Sequence, residues 1–129
     1  MTEGPFVYVG TYKVKEGRLA VYKERLSELV ELVEAEEPRL IAFNVYLDED
    51  GARTTLVQVH PDAASMRLHM NVVAEHIASA SEDLEEESAL VCGADSEGVV
   101  DTIRQFTPPG VPLTIMPVHE GGFTRTTAG

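Results

Sequence analysis

The sequence predicts an α+β domain in which helices cover one face of an antiparallel sheet. Apolar residues alternate with a period of two in several short runs, and two longer stretches carry them at helical spacing. In chain order these segments are strand, helix, strand, strand, helix, an extra helical segment and a last strand. That order is the split β-α-β pattern of the ferredoxin-like fold, and 129 residues suit a single domain over residues 1–129.

The first strand and the first helix are predicted from a change of period near residue 18. Residues 6–14 are rich in Val, Tyr and Phe and alternate as a strand does. After a turn at residues 15–17, apolar side chains recur at i, i+3 and i+4, namely Leu19, Tyr22, Leu26, Leu29, Val30 and Val33. Pro38 ends this helix, because proline has no N–H group to continue the hydrogen-bond ladder.

Two further strands, residues 40–47 and 53–60, are joined by a hairpin. The connecting Asp-Glu-Asp-Gly at residues 48–51 is a turn signal. We expect one face of the hairpin to pack under the helices, through Ile41, Phe43, Val45, Leu47, Thr55, Val57 and Val59. The opposite face would mix polar, aromatic and apolar groups: Ala42, Asn44, Tyr46, Leu56, Gln58 and His60. A face of this kind is expected to look on solvent, a pocket or a partner.

Pro61 and Asp62 mark the start of a second helix. The proline closes the third strand, and the Asp62 carboxylate can accept hydrogen bonds from the first helical turn. Apolar residues then form a stripe through Met66, Met70, Val73, Ile77, Ala80 and Leu84. We expect the helix or its continuation to run into the acidic tract at residues 82–87, which would be exposed.

The last third of the chain gives weaker signals. Residues 89–92 form a short apolar run of undecided type, and residues 97–106 predict a short helix that ends before Pro108. Residues 111–118 predict the last strand, which Pro117 confines to an edge or a bend. We therefore expect an insert at about residues 85–110 and a flexible tail at about residues 120–129.

The net charge of −12 argues against two classes of partner. Nucleic acids and anionic membranes are bound through clustered Lys and Arg, and here 10 such residues face 22 Asp and Glu. No apolar run reaches the roughly 20 residues of a membrane span, and the N-terminus has no signal-peptide pattern. The single cysteine, Cys92, fits a reducing compartment. The sequence thus predicts an acidic cytoplasmic protein that binds neither nucleic acid nor membrane.

The predicted helices leave one face of the sheet uncovered. On this prediction the uncovered face carries the side chains of Tyr8, Tyr12, Asn44, Tyr46, Gln58 and His60. Two copies that pair through this face would cover it in both chains without any other partner, so we expect a homodimer.

Three short motifs resemble those of a known family. A Lys-Glu-Gly turn at residues 15–17 opens the first helix, and Glu-Glu-Pro at residues 36–38 leads into the second strand. After the third strand, His60 occupies a usually aromatic position, Asp62 an acidic turn, and His69 a helical histidine position. Over residues 6–80 the chain resembles the antibiotic-biosynthesis-monooxygenase-type (ABM-type) domains of the dimeric α+β barrel superfamily. Unlike the haem-degrading branch, it has no Trp and no Asn in its first strand.

The resemblance implies a cofactor-independent monooxygenase that acts on an aromatic quinol or polyketide-like substrate. In that chemistry the phenolate form of the substrate reduces dioxygen, while the protein holds it in a dry pocket and removes a proton. We therefore predict His60 and His69 as candidate catalytic bases. The predicted substrate-binding residues are Asn44, Tyr46, Gln58, Tyr8 and Tyr12, and neither a cofactor nor a metal is expected.

Each candidate also has a structural interpretation. His69 can be a partly buried histidine of the fold, and His60 a residue satisfied by hydrogen bonds. The tyrosines can stack on a planar ligand or belong to a dimer interface, and Cys92, without a basic neighbour, is expected to be a buried spectator. The rival function is a non-enzymatic ligand-binding or stress-type dimer of the same fold. An enclosed cavity lined by these polar groups would favour catalysis or binding, and a filled interior would favour a structural role.

The histidine spacing does not predict a metal site. His69 and His76 lie seven residues apart, about 10.5 Å along a helix, which is too far for one ion. A site built from His60, His69 and His119 has no recognisable spacing motif.

Overall fold

The computed structural model describes residues 4–125 and shows a five-stranded sheet with helices on one face. The strands are β1 (Phe6–Val14), β2 (Ala42–Leu47), β3 (Arg53–His60), β4 (Leu84–Cys92) and β5 (Leu113–Met116). The helices are α1 (Leu19–Glu36), α2 (Ala63–Val72), α3 (Ala74–Ser79) and α4 (Val99–Phe106), with a short 3-10 turn at Ala80–Glu82. The predicted tail at about residues 120–129 lies partly outside the described residues.

The strands are arranged in the order β2-β3-β1-β4-β5. β1 pairs antiparallel with β3 and β4, and β2 pairs antiparallel with β3. This confirms the predicted α+β, ferredoxin-like arrangement for the first four strands. β5 differs from the prediction of an antiparallel sheet, because it pairs parallel with β4 and makes the sheet mixed. A parallel neighbour requires a crossover, and α4 supplies it, as the predicted extra helical segment before the last strand.

The fourth strand lies where the sequence predicted an exposed acidic tract and the start of an insert. β4 pairs with β1 along its length, with one bulge between Thr11 and Tyr12. Glutamate is a poor strand former, but cross-strand pairing overrides this local preference. The prediction that the second helix continues through residues 82–87 is therefore wrong, since α3 and the 3-10 turn end it.

The faces of β3 are reversed relative to the prediction. Leu56, Gln58 and His60 lie on the same face as Phe43 and Val45, toward the helices. The opposite face holds the residues of β3 that were predicted inside, Thr55, Val57 and Val59. A shift of one residue in a hairpin register moves every side chain of a strand to the other face. The register across the turn thus decides which residues reach the interior.

The core lies between the sheet, α2 and α4. Its buried residues are Phe6, Tyr8, Ala63, Met66, Met70, Ala89, Val91, Val99 and Ile103. α1 packs over β3, where the Tyr22 hydroxyl lies 2.8 Å from Thr54 Oγ1. Among residues 4–125, no helix is both long enough and apolar enough to cross a bilayer.

Candidate active site

A cavity of about 270 Å³ lies between the sheet and the helices. Strands β1 to β4 form its floor, and side chains of all four helices form its walls. The volume is near the lower end of the range for small-molecule sites. Most of the lining is apolar, and its polar side chains include Tyr8, Tyr12, Gln58, His69, His76 and Glu86. The interior of this fold is therefore not filled, which favours binding or catalysis over a purely structural role.

His69 of α2 lines the cavity and is held by Glu37. Its Nδ1 atom lies 2.9 and 3.0 Å from the two carboxylate oxygens of Glu37. The side chains are only 5% and 1% exposed, respectively. The ring also contacts Phe43, with ring centroids 5.5 Å apart. Because the two ring nitrogens point in different directions, Nε2 is the nitrogen left for a ligand.

Burial shifts both partners toward their neutral forms. Desolvation lowers the pKa of His69 from 6.5 to about 4, and it raises the pKa of Glu37 from 4.5 to about 7. Near neutral pH a proton of the pair can therefore lie either on Nδ1 or on the carboxyl group. With the proton on Nδ1, the Nε2 atom carries a free lone pair, as a general base requires.

Glu37 is the site residue that the sequence analysis missed. It directly follows α1, and its backbone N–H donates to the Val33 carbonyl at 3.0 Å. Pro38 prevents the helix from continuing, which fixes Glu37 at its end. A signal was present, because Glu37 comes four residues after Val33 and so continues the buried stripe of α1. A carboxylate in such a stripe requires a partner.

His60 is fully buried and does not line the cavity. Its Nδ1 lies 2.7 Å from Ser65 Oγ, and its Nε2 lies 2.9 Å from Gln58 Oε1. Since an amide oxygen only accepts, Nε2 carries the proton and Nδ1 accepts from the Ser65 hydroxyl. Burial, with a smaller effect from His69, lowers the pKa of His60 to about 3. This geometry favours a positioning role for His60 over the predicted role as a base.

Gln58 lies on the cavity floor and is held in place by His60. The side chain is 2% exposed, and its Oε1 accepts from His60 Nε2. The amide N–H₂ group is therefore left to donate to a ligand. Gln58 is thus a polar side chain of the cavity floor whose orientation is fixed by His60.

Tyr8 and Tyr12 line the cavity from β1, and their hydroxyl oxygens lie 3.3 Å apart. Gly10 lies between them, and a Cβ atom there would be only 2.9 Å from the Tyr12 hydroxyl. The missing side chain thus lets the two rings meet. Burial raises the pKa of Tyr8 to about 12 and that of Tyr12 well above 10, so both phenols stay protonated.

Asn44 and Tyr46 lie on the opposite face of the sheet, beside Val57 and Thr55. Both are exposed, Tyr46 to 59%. The prediction that one uncovered face unites them with Gln58, His60 and the two tyrosines of β1 is wrong. From the open face they cannot reach a ligand in the cavity of their own chain.

The part of the chain from residue 4 to 125 contains no group of three His, Cys, Asp or Glu side chains close enough to hold a metal ion. Cys92 is half-buried and lies beside Val7 in the sheet.

Several solved structures share this architecture. MupZ from Pseudomonas fluorescens is similar over 95% of both chains, with a TM-score of 0.73 and 19% sequence identity. A candidate antibiotic biosynthesis monooxygenase from Nitrosomonas europaea covers 75% of this chain and 95% of its own, with a TM-score of 0.62 and 14% identity. Another, from Bacteroides thetaiotaomicron, covers 65% and 86%, with a TM-score of 0.57 and 18% identity. The chain has an ABM-type fold.

The ABM-type fold is thus supported by backbone similarity, and the site must be argued from its own residues. No protein-family model and no curated protein matches the sequence. The similarity to MupZ leaves out only 5% of this chain, so it extends into α4 and β5. The two candidate monooxygenases cover a smaller share, close to the size of the four-stranded ferredoxin-like unit.

Proposed function

We propose that this protein is a cofactor-independent monooxygenase that acts on an aromatic quinol or polyketide-like substrate. The observation that carries the proposal is the Glu37–His69 pair, which places a neutral imidazole on the wall of a largely apolar cavity. The rings of Phe43, Tyr8 and Tyr12 offer flat surfaces for an aromatic substrate. The ABM-type fold of candidate monooxygenases supports the same class of reaction.

His69 starts the proposed reaction by removing a proton from a substrate hydroxyl group. The resulting phenolate is electron-rich and transfers electrons to dioxygen. A ring carbon that bears hydrogen, ortho or para to the hydroxyl, gains one oxygen atom as a carbonyl group. The second oxygen atom leaves as water with the two hydrogens that the substrate loses. The substrate supplies all four electrons, so the protein's part is to bind, orient and move protons.

The neighbours of His69 support each of these tasks. Glu37 accepts from Nδ1 and stabilises the imidazolium that forms when Nε2 takes the proton. The amide N–H₂ group of Gln58 can donate to the phenolate oxygen. The apolar surroundings exclude water, which strengthens these polar interactions.

Substitution of the dyad tests the proposal. Oxygen uptake is measured with a panel of quinols and flavonoids, first on the wild type and then on His69→Ala and Glu37→Gln. Removing a general base lowers turnover by about 100-fold or more, so His69→Ala is expected to lose nearly all activity. The Glu37→Gln side chain can still accept a hydrogen bond from Nδ1 but cannot take the proton. We therefore expect a smaller loss of turnover than for His69→Ala.

The control is His119→Ala, the same substitution at an exposed histidine outside this cavity. It should retain wild-type turnover. If His69→Ala is as active as the control on an accepted substrate, His69 is not the base and the proposed mechanism fails.

A second candidate function is non-enzymatic binding of an aromatic ligand. The buried hydroxyl pair of Tyr8 and Tyr12 favours it, because two protonated phenols bind a ligand without any proton transfer. Binding without oxygen uptake for every compound of the panel would support this function and exclude the monooxygenase for those compounds.

For the assembly, we infer that two copies pair through the open face of the sheet. This face is mainly apolar at its centre, with Val7, Val9, Val57, Val59 and Leu90. These side chains are only partly buried within one chain. A second copy would remove them from water, which is the main source of stability in a homodimer.

A further inference from the structure

Glu86 of β4 is a polar group of the cavity that the proposed reaction does not use. It is half-buried and lines the cavity. Its Oε2 atom is shielded from solvent and has no hydrogen-bond partner within residues 4–125. A carboxylate oxygen in this state is costly unless a ligand donates to it. Burial raises the pKa of Glu86 above 4.5, in agreement with this environment.

Two hydroxyl groups belong to the same neighbourhood. A bulge in β4, where Glu87 is the extra residue, brings Glu86 opposite Tyr12. Burial is the main cause of the raised pKa values of Tyr8 and Tyr12, and the charge of Glu86 adds to both. We call Glu86, Tyr8 and Tyr12 the Glu86 cluster. It combines an acceptor that lacks a partner with two protonated phenols.

Glu86 lies away from the part of the cavity floor that His69 contacts. His69 contacts Phe43 of β2, which lies at the level of Gln58 and Tyr8, whereas Glu86 lies at the level of Tyr12. Phe43 and Glu86 are therefore four residues apart along the strand direction, which is about 13 Å. Across the sheet they are three strand spacings apart, from β2 to β4, which is roughly 14 Å. Side chains that converge on one cavity shorten the distance, but Glu86 and Phe43, which His69 contacts, come from opposite edges of the floor.

An independent observation comes from His76 of α3. Its Nδ1 atom is also shielded and without a hydrogen-bond partner within the described chain, and His76 also lines this cavity. Both shielded side-chain atoms that lack a partner in residues 4–125 thus belong to residues of the same cavity. Polar side chains of the cavity other than His69 favour a ligand with a second polar group.

We propose that the Glu86 cluster binds a second hydroxyl group of the substrate, at the end of the cavity away from His69. The substrate is then an elongated and mainly apolar aromatic molecule with a hydroxyl group at each end. One hydroxyl loses its proton to His69, and the other donates to the Glu86 carboxylate. This inference deepens the proposed function and rests on it for the role of His69.

The test compares the affinities of two tricyclic ligands, 2-hydroxyanthracene and 2,6-dihydroxyanthracene. Affinities are measured by fluorescence titration without oxygen, so that no turnover is needed. A hydrogen bond to a charged group is worth about tenfold in affinity or more, so the wild type should prefer the diol by at least about tenfold. Glu86→Leu should reduce this ratio to about one, and Glu86→Gln, which keeps an acceptor oxygen, should retain part of it.

Glu85→Leu is the matched control, because Glu85 precedes Glu86 in β4 but is exposed and does not line the cavity. It should keep the preference of the wild type. Equal affinity of the wild type for the two ligands, binding of neither, or an equal effect of Glu85→Leu and Glu86→Leu would overturn the inference. A preference for the diol without oxygen uptake would instead count against the proposed reaction alone, so the two failures are distinguishable.

Discussion

His60 and His69 are buried histidines whose hydrogen bonds give them different tasks. Their ring centroids are 5.7 Å apart, yet only His69 lines the cavity. Both ring nitrogens of His60 form hydrogen bonds with protein groups, whereas His69 uses only Nδ1, which bonds Glu37. Sequence spacing brings both residues near the end of β3 but cannot show which nitrogen remains available. The assignment of roles therefore needs the structure.

The lowered pKa of His60 leads to a prediction about stability and pH. In the unfolded chain this histidine gains a proton near pH 6.5, whereas in the folded chain it stays neutral down to about pH 3. The unfolded state thus binds more protons in this range, and the contribution of His60 to stability decreases as the pH falls, by up to about 1.4 kcal/mol per pH unit. The loss of stability caused by His60→Asn should accordingly be largest near pH 7 and shrink toward pH 4.

Urea unfolding of the wild type and His60→Asn at several pH values measures this difference. Other titrating groups also make stability depend on pH, and the raised pKa of Glu37 acts in the opposite direction. Their contributions cancel in the comparison because both proteins contain these groups. His119→Asn at an exposed position is the control. A destabilisation by His60→Asn that does not change with pH would contradict the neutral, buried state of His60.

At the level of the element, the start of α2 combines helix capping with the polar network below the cavity. The Asp62 carboxylate accepts from the Ser65 backbone N–H at 3.0 Å, as the sequence predicted for this position. Arg39 pairs with the same carboxylate. The Ser65 hydroxyl bonds His60, so the cap also holds the residue that orients Gln58.

We predict that Asp62→Ala costs about 1 kcal/mol of folding stability, because the first turn of α2 loses its acceptor. Asp62→Asn keeps an acceptor oxygen and loses only the charge, so it should be clearly more stable than Asp62→Ala. Urea denaturation midpoints at pH 7 provide the comparison. Equal losses in the two variants would mean that the ion pair with Arg39, and not the cap, stabilises this helix.

The elements themselves were largely predictable, but their faces and one strand were not. β1 and β3 have the predicted bounds, and α1 stops just before Pro38 as expected. Period-two patterns show which residues share a face, but the register across the hairpin decides which face is covered. The three glutamates at residues 85–87 of β4, with Glu82 and Asp83 just before the strand, favoured a helix or an exposed tract. Only pairing with β1 makes a strand there.

The candidate site was predictable only in part, because its polar groups come from segments that are distant in sequence. His69, Gln58 and the tyrosines of β1 line the cavity as a site requires. Glu86 was predicted to belong to an exposed acidic tract, and Glu37 was noted only as part of the Glu-Glu-Pro motif before the second strand. Their burial becomes visible only when α1 and β4 are placed against the sheet.

At the level of the whole molecule, the inferred dimer leads to a prediction for the open face. The wild type should sediment with twice the chain mass of 14.1 kDa. Val57→Glu places a charge at the centre of the inferred interface, where desolvation is costly, and should yield a single subunit. Val30→Glu, the same change at a 39% exposed valine of α1, is the control and should remain a dimer. A single subunit in the wild type would refute the assembly.

The sheet stands between the cavity and the open face, and this has a consequence for how ligand would be taken up. Every group of the Glu37–His69 pair and of the Glu86 cluster comes from one polypeptide. Each subunit should consequently saturate independently, with one ligand per chain and a titration curve without sigmoidal shape. Dissociating the two halves would then leave ligand uptake intact in each folded subunit.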